Sequence, residues 1–148
     1  ETKPYLKYPT LKDYLTICKK YEKHCVIEMK PEFSPKEIQK LLDEIYEVNK
    51  LENTTLISFN LTNLKRVRRI NKTIPLQYLT STYTDDLPKL CKKEKVDIDI
   101  LYNQLTPESF KAFRDLGIKI NAWTVNNPIE ALVLVSWGID YITTNVLE

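Results

Sequence analysis

The chain has 148 residues, of which 43% are hydrophobic and 28% are charged, and its formal net charge is only +2. These values are typical of a soluble protein with one sizeable core, so we expect residues 1–148 to fold as a single domain. These values argue against a strongly basic nucleic-acid-binding protein. The sequence contains no apolar stretch of roughly 18 residues, so no membrane span is predicted within it.

The first predicted element is a helix from Leu11 to about Tyr21. It follows Pro9-Thr10, and Asp13 lies three residues after the threonine, as in a capping box. Later helices begin with a capping residue followed by proline, which favours the first helical position. This start signal occurs at Ser34-Pro35, Thr106-Pro107 and Asn127-Pro128.

Six short runs rich in apolar, β-branched or aromatic residues predict strands. They are Cys25–Met29, Thr55–Phe59, Leu76–Thr80, Ile98–Tyr102, Ile118–Val125 and Tyr141–Thr144. Helical patterns separate them, and the only two glycines, Gly117 and Gly138, fall where a helix stops and a strand begins. This alternation predicts an α/β fold with a parallel sheet, either open or closed into a barrel.

The number of βα units favours an incomplete barrel. A complete TIM (β/α)₈ barrel needs at least about 200 residues, whereas this sequence supplies about six of the eight units. We therefore expect a TIM-type barrel whose first strands are absent from the chain. Without G-x-G-x-x-G or P-loop spacing, dinucleotide and nucleotide sites are not indicated.

Two features that could suggest a function have simpler explanations. A basic run between residues 65 and 69 lies in a helical pattern whose apolar residues face the other way, so we interpret it as a solvated helix face. The three cysteines, Cys18, Cys25 and Cys91, are odd in number and lack C-x-x-C spacing. We expect buried free thiols, with neither disulfides nor a zinc site.

The first predicted strand carries an unusual charged pair. Val26, Glu28 and Lys30 share one of its faces, while Cys25, Ile27 and Met29 share the apolar other face. On a barrel strand, Glu28 and Lys30 would then project inward near the carboxyl end, where barrel enzymes place their chemistry. The alternative is an interior ion pair with no catalytic role.

Other polar and aromatic positions are more ambiguous. Trp123 lies near the end of a predicted strand and is either a core residue or an apolar surface for a substrate. Asp97 and Asp99 flank Ile98 at the start of a strand, which is the stability end of a barrel, so we interpret both as structural. His24, the sole histidine, begins its strand and is expected to be a surface or packing residue.

Several motifs together resemble one family. The segments "YPTLKDYL", "CVIEMK", "ISFNLTNLKRVRRIN", "PLQYL", "INAWTVNNPIEA" and "WGIDYITTN" are similar to successive segments of bacterial glycerophosphodiester phosphodiesterases. The resemblance covers nearly all 148 residues. It implies a TIM barrel that hydrolyses glycerophosphodiesters to glycerol 3-phosphate and an alcohol, with a divalent cation such as Mg²⁺ or Ca²⁺.

The resemblance also implies roles for three residues. By motif match, Glu28 is a metal ligand, Lys30 contacts the phosphate, and Trp123 lines the glycerol side of the pocket. The family's His-Arg-Gly motif, its Glu-x-Asp pair and its second catalytic histidine do not occur in this sequence. We therefore expect residues 1–148 to be the C-terminal portion of the barrel, to contain no catalytic residue and to be inactive alone.

An alternative interpretation is a non-catalytic phosphate-binding or assembly domain derived from the same fold. Either way, the expected partner is a small glycerophosphodiester or its phosphate group, and not a nucleic acid. A barrel without its first strands exposes two sheet edges, so we also expect association with a second copy or with the missing portion. The sequence does not distinguish a cytoplasmic protein from a soluble domain of a membrane-anchored parent.

Overall fold

The computed structural model describes residues 7–147, in which six helices alternate with six strands. The helices are α1 (Leu11–Lys20), α2 (Pro35–Val48), α3 (Leu61–Ile70), α4 (Leu87–Glu94), α5 (Pro107–Asp115) and α6 (Pro128–Ser136). The strands are β1 (Cys25–Glu28), β2 (Thr54–Ser58), β3 (Leu76–Thr80), β4 (Asp97–Leu101), β5 (Ile120–Trp123) and β6 (Tyr141–Ile142). Short 3₁₀ turns at Leu51–Asn53 and Tyr102–Gln104 precede β2 and follow β4.

All six strands form one parallel sheet in sequence order, from β1 at one edge to β6 at the other. Within the described residues no pairing joins β6 back to β1, so the sheet is an arc of a barrel and not a closed one. This confirms the predicted incomplete TIM-type barrel.

The predicted helix boundaries have the expected caps. Thr10, Ser34 and Thr106 each form a capping box with the residue three positions later. Gly117 and Gly138 have φ angles of +70° and +83°, the left-handed conformation that glycine adopts without a steric penalty. The C-terminal cap of α4 was not predicted. It is Lys95, a non-glycine residue with a φ of +57°, and no glycine marks this helix end in the sequence.

The core lies between one face of the sheet and the helices. Alternate strand residues on this face are fully buried, and they include Cys25, Leu56, Leu76, Ile98 and Ile120. Helix residues such as Ile38, Ile45, Leu64, Val67 and Phe113 belong to the same core cluster. The three cysteines are buried and unpaired, as expected.

The basic run of α3 is only partly a solvated face. Lys65 pairs with Glu94 at 3.3 Å, Arg66 pairs with Glu32 at 2.8 Å, and the guanidinium of Arg68 donates to the main-chain carbonyl of Lys95. These contacts join α3 to the loop after β1 and to the end of α4, so several of the charges hold neighbouring segments together. No helix in the described part of the chain is long and apolar enough to cross a membrane.

Candidate functional site

Glu28 and Lys30 lie together at the carboxyl end of β1. Glu28 is the last residue of the strand, Lys30 follows it, and the Lys30 Nζ atom is 3.9 Å from Glu28 Oε2. The Glu28 side chain is 31% exposed and that of Lys30 is 78% exposed. An ion pair that is this exposed adds little to the free energy of unfolding, because the attraction between solvated charges is weak. Both groups are accessible to a ligand from the open end of the arc.

Ser58 and Asn63 hold the backbone that leads to Lys30 and beyond. The Ser58 hydroxyl, at the end of β2, donates to the carbonyl of Met29 at 2.6 Å. The Asn63 amide donates to the Pro31 carbonyl at 2.8 Å, and its Oδ1 accepts the Phe33 N–H at 2.9 Å. Asn63 is fully buried in α3. The two residues therefore fix the chain on either side of Lys30.

Trp123 lies at the carboxyl end of β5, on the inner face of the arc. Its indole N–H donates to the main-chain carbonyl of Asp99 at 3.2 Å. Its ring meets Phe59 edge to face, with centroids 5.7 Å apart and an angle of 84°. Phe59 follows β2 and is 52% exposed. The two rings form an apolar surface at the same end of the sheet as Glu28.

Below these rings the inner face is polar and hydrogen-bonded. The Asn121 amide donates to Gln77 Oε1 at 3.3 Å, and Asn121 Oδ1 accepts from the Thr143 hydroxyl at 3.3 Å. Gln77 and Asn121 are buried, at 5% and 6% exposure. Polar groups in such surroundings normally have partners, as these do. The inner face of the arc thus carries a satisfied polar chain from β3 to the end of β6.

Asp99 is the exception on this face. It lies on β4, is 2% exposed, and its Oδ1 atom has no hydrogen-bond partner among the described residues. Burial raises the pKa of its carboxyl to about 7, and the nearby charge of Glu28 contributes to the increase. A buried carboxylate with an unpartnered oxygen is costly, so this position is a candidate for binding a ligand.

The structure separates Asp99 from Asp97, which the sequence suggested were equivalent. Asp97 Oδ1 accepts the backbone N–H of Lys119 at 2.9 Å, at the amino end of the strands, in agreement with a structural role. His24 is also at that end, where its Nε2 atom is 2.8 Å from the Thr55 hydroxyl, and burial lowers its pKa. Neither side chain lies with Glu28 and Lys30 at the carboxyl end.

The chemistry of Glu28 fits a hard cation, but one carboxylate is few ligands. Mg²⁺ and Ca²⁺ bind oxygen ligands, and each normally takes several of them. Among residues 7–147, no group of three or more histidine, cysteine, aspartate or glutamate side chains is arranged to hold a metal ion. Glu28 would therefore hold a cation together with other oxygen ligands. The neighbouring Lys30 ammonium suits an anionic oxygen such as that of a phosphate.

The network of Ser58 and Asn63 predicts the effect of Asn63→Ala. The change leaves the Pro31 carbonyl and the Phe33 N–H without partners, which should lower the free energy of unfolding by about 1 to 3 kcal/mol. Hydrogen exchange at the Phe33 amide should accelerate, whereas the exposed Asn53→Ala should alter neither quantity. Unchanged exchange at the Phe33 amide in Asn63→Ala would show that this network does not fix the segment.

The raised pKa of Asp99 predicts how stability depends on pH. Between the ordinary aspartate pKa of 3.8 and about 7, the folded chain keeps a proton that the unfolded chain has released. This carboxyl therefore makes stability fall as pH rises through that range, with no further loss above it. Asp99→Asn should remove that part of the slope and be more stable than the wild type at high pH, by roughly 2 to 4 kcal/mol.

Denaturant unfolding at several pH values measures this difference. The exposed Asp85→Asn serves as the control and should give a profile parallel to that of the wild type. A parallel profile for Asp99→Asn would contradict the burial of a titrating carboxyl at this position.

Comparisons with known proteins agree with the fold of this chain. A phosphodiesterase from Oleispira antarctica, solved in complex with the product sn-glycerol-3-phosphate, is 18% identical with a TM-score of 0.84. A protein from Silicibacter pomeroyi described as a glycerophosphoryl diester phosphodiesterase is 23% identical, with a TM-score of 0.82. A glycerophosphodiester phosphodiesterase from Parabacteroides distasonis is 26% identical, with a TM-score of 0.81. Each alignment covers 92% of this chain.

The chain spans only part of these relatives. It covers 57% of the Oleispira chain, 52% of the Silicibacter chain and 59% of the Parabacteroides chain. A search of curated proteins returned no match. The family model described as the glycerophosphoryl diester phosphodiesterase family matches residues 3–148. Because this match extends over nearly the whole sequence, the chain belongs to the glycerophosphoryl diester phosphodiesterase family.

Proposed function

We propose that this chain is the C-terminal portion of an enzyme that hydrolyses glycerophosphodiesters to glycerol 3-phosphate and an alcohol, using Mg²⁺ or Ca²⁺. The observation that carries the proposal is the pair of Glu28 and Lys30 at the carboxyl end of β1, 3.9 Å apart and open to solvent. Barrel enzymes place their chemistry at this end of the strands. Membership of the family and the glycerol phosphate bound by the Oleispira relative support this substrate class.

Each residue of the site has a role that suits its chemistry. Glu28 supplies carboxylate oxygens to the cation, which when bound would neutralise the negative charge on the phosphoryl oxygens. Lys30 is exposed enough to reach a phosphate oxygen as a cationic donor. The rings of Trp123 and Phe59 offer an apolar surface to the carbon atoms of the glycerol group.

We infer that the histidine acid and base implied by the family resemblance lie outside the described residues. Phosphodiester hydrolysis needs a group to accept a proton from the attacking oxygen and a group to donate one to the leaving oxygen. His24 is the sole histidine in the sequence, and its ring lies at the amino end of the strands beside Thr55. We infer that residues 1–148 alone are inactive and that the acid and base lie on further strands of the barrel.

An activity assay with Glu28→Gln tests the proposal. Residues 1–148 should release no glycerol 3-phosphate from glycerophosphocholine or glycerophosphoethanolamine, with either Mg²⁺ or Ca²⁺. A chain that also contains the remaining strands should be active, and a chelator should abolish this activity. In that longer chain Glu28→Gln should reduce kcat/KM by at least about 100-fold, since one hard-cation ligand is lost. The exposed Glu47→Gln of α2 is the matched control and should keep full activity.

Two results would contradict this assignment. Turnover by residues 1–148 that is abolished by His24→Ala would place the catalytic machinery within this chain. A longer chain that binds glycerol 3-phosphate but does not hydrolyse the diesters would instead identify a non-catalytic phosphate-binding domain.

We also propose that the arc associates through its open side when no further strands cover it. Val26 on the edge strand β1 and Tyr141 on β6 are 46% and 47% exposed, although both are apolar or aromatic. Such edges pair readily with other strands. The partner would be a second copy of this chain or the remaining portion of the barrel.

Light scattering of residues 1–148 tests this association. We expect a dimer or a larger species, and we expect Val26→Lys to shift it toward monomer because a charge on an edge strand opposes pairing. Tyr46→Lys, on the exposed face of α2, is the control and should leave the oligomer unchanged. A wild-type monomer with a well-dispersed amide spectrum would contradict the proposal.

A further inference from the structure

Asp99 has no role in the proposed function, yet it lies buried on the same face of the arc as Glu28. We propose that Asp99 is the second carboxylate of the cation site, so that Mg²⁺ or Ca²⁺ is bound from β1 by Glu28 and from β4 by Asp99. This inference rests on the proposed function, because it names a further ligand of the cation used there.

The register of the sheet places both carboxylates on the inner face. Glu28 pairs with Ile57, Ile57 with Gln77 and Gln77 with Asp97, and side chains two residues apart share a face. Asp99 therefore faces inward as Asp97 does, and it lies two residues closer to the carboxyl end of β4. The indole of Trp123, at that end of β5, donates to the Asp99 carbonyl and fixes the backbone there.

The environment of Asp99 lacks the partners that a buried carboxylate needs. Its side chain is 2% exposed, and its Oδ1 atom accepts no hydrogen bond from any described residue. None of the ion pairs formed within residues 7–147 includes it. Native structures rarely leave such a group unsatisfied unless it binds something. Asp97, two residues away, is satisfied by the N–H of Lys119.

Glu28 and Asp99 face the same inner side of the arc. Burial raises the pKa of the Asp99 carboxyl, and the charge of Glu28 adds to that increase. Two carboxylates that face one space repel each other when both are ionised, and a divalent cation between them removes that repulsion. Lys30 does not do so, since it is mostly in solvent and its one ion pair among residues 7–147 is with Glu28. A hard cation with oxygen ligands matches both the charge and the donor atoms.

Binding of Mn²⁺, used as a probe for the site, tests this inference without any measurement of turnover. Electron paramagnetic resonance reports free Mn²⁺ in titrations of residues 1–148, with Mg²⁺ and Ca²⁺ as competitors. Asp99→Asn keeps the shape of the side chain and should weaken Mn²⁺ binding at least about 10-fold, as should Glu28→Gln. Asp97→Asn is the matched control, on the same strand and face, and should bind as the wild type does. Asp99→Ser repeats the test with a smaller side chain.

The outcomes separate this inference from the proposed function. If Glu28→Gln weakens binding while Asp99→Asn and Asp99→Ser behave like Asp97→Asn, then Asp99 is not a ligand and the Glu28 site stands. If the wild type binds no Mn²⁺, Glu28 and Asp99 do not hold the cation between them and the inference is wrong, whereas the role of Glu28 is then tested by the Glu28→Gln assay in the longer chain. If the wild type binds Mn²⁺ and no variant weakens binding, both the inference and the cation role of Glu28 are wrong. Loss of binding in the Asp99 variants, together with an inactive longer chain, would support the cation site and contradict hydrolysis.

Discussion

The pleat of a single parallel sheet determines where every functional group in this chain lies. Because alternate residues of a strand face opposite sides, Cys25 and Ile98 are buried under the helices, whereas Glu28 and Asp99 face the inside of the arc. A shift of one residue in any strand would exchange the two sets. The apolar core therefore fixes the register, and the register in turn places Glu28 at the carboxyl end of β1 and Asp99 in the middle of β4, both on the inner face.

Much of the fold could be predicted from the sequence because its signals are local. In this chain each serine or threonine that precedes a proline caps the start of a helix, and both glycines follow a helix end in the left-handed conformation. The strand bounds were less accurate at β5 and β6. The predicted Ile118–Val125 is observed as Ile120–Trp123, and β6 is observed as Tyr141–Ile142. At β6 the ladder continues only through single hydrogen bonds, such as that from Val125 N–H to the Thr143 carbonyl.

A site residue could be predicted only where the sequence immediately around it indicates its role. Glu28 stands out because a charge in an otherwise apolar strand needs a reason, and the motif around it resembles one family. The importance of Asn63 depends on its contact with Phe33, which lies 30 residues earlier in the chain. The importance of Asp99 depends on its position relative to the other strands of the sheet. Asp97 and Asp99 look alike in the sequence, but only Asp97 meets a free N–H. Such differences arise from packing between strands and have no local signal.

The open end of the arc thus carries an exposed lysine and a carboxylate that it only partly neutralises, and a buried carboxyl without a partner among the described residues lies on the same inner face. The central claim is that these acidic groups hold a divalent cation at the carboxyl ends of the strands. Anomalous diffraction from crystals of this chain grown with Mn²⁺ tests that claim most directly. We predict an anomalous peak within about 2.5 Å of a Glu28 carboxylate oxygen, on the side that Asp99 faces. An ordered Glu28 with no peak beside it, or a peak only elsewhere on the molecule, would contradict this account.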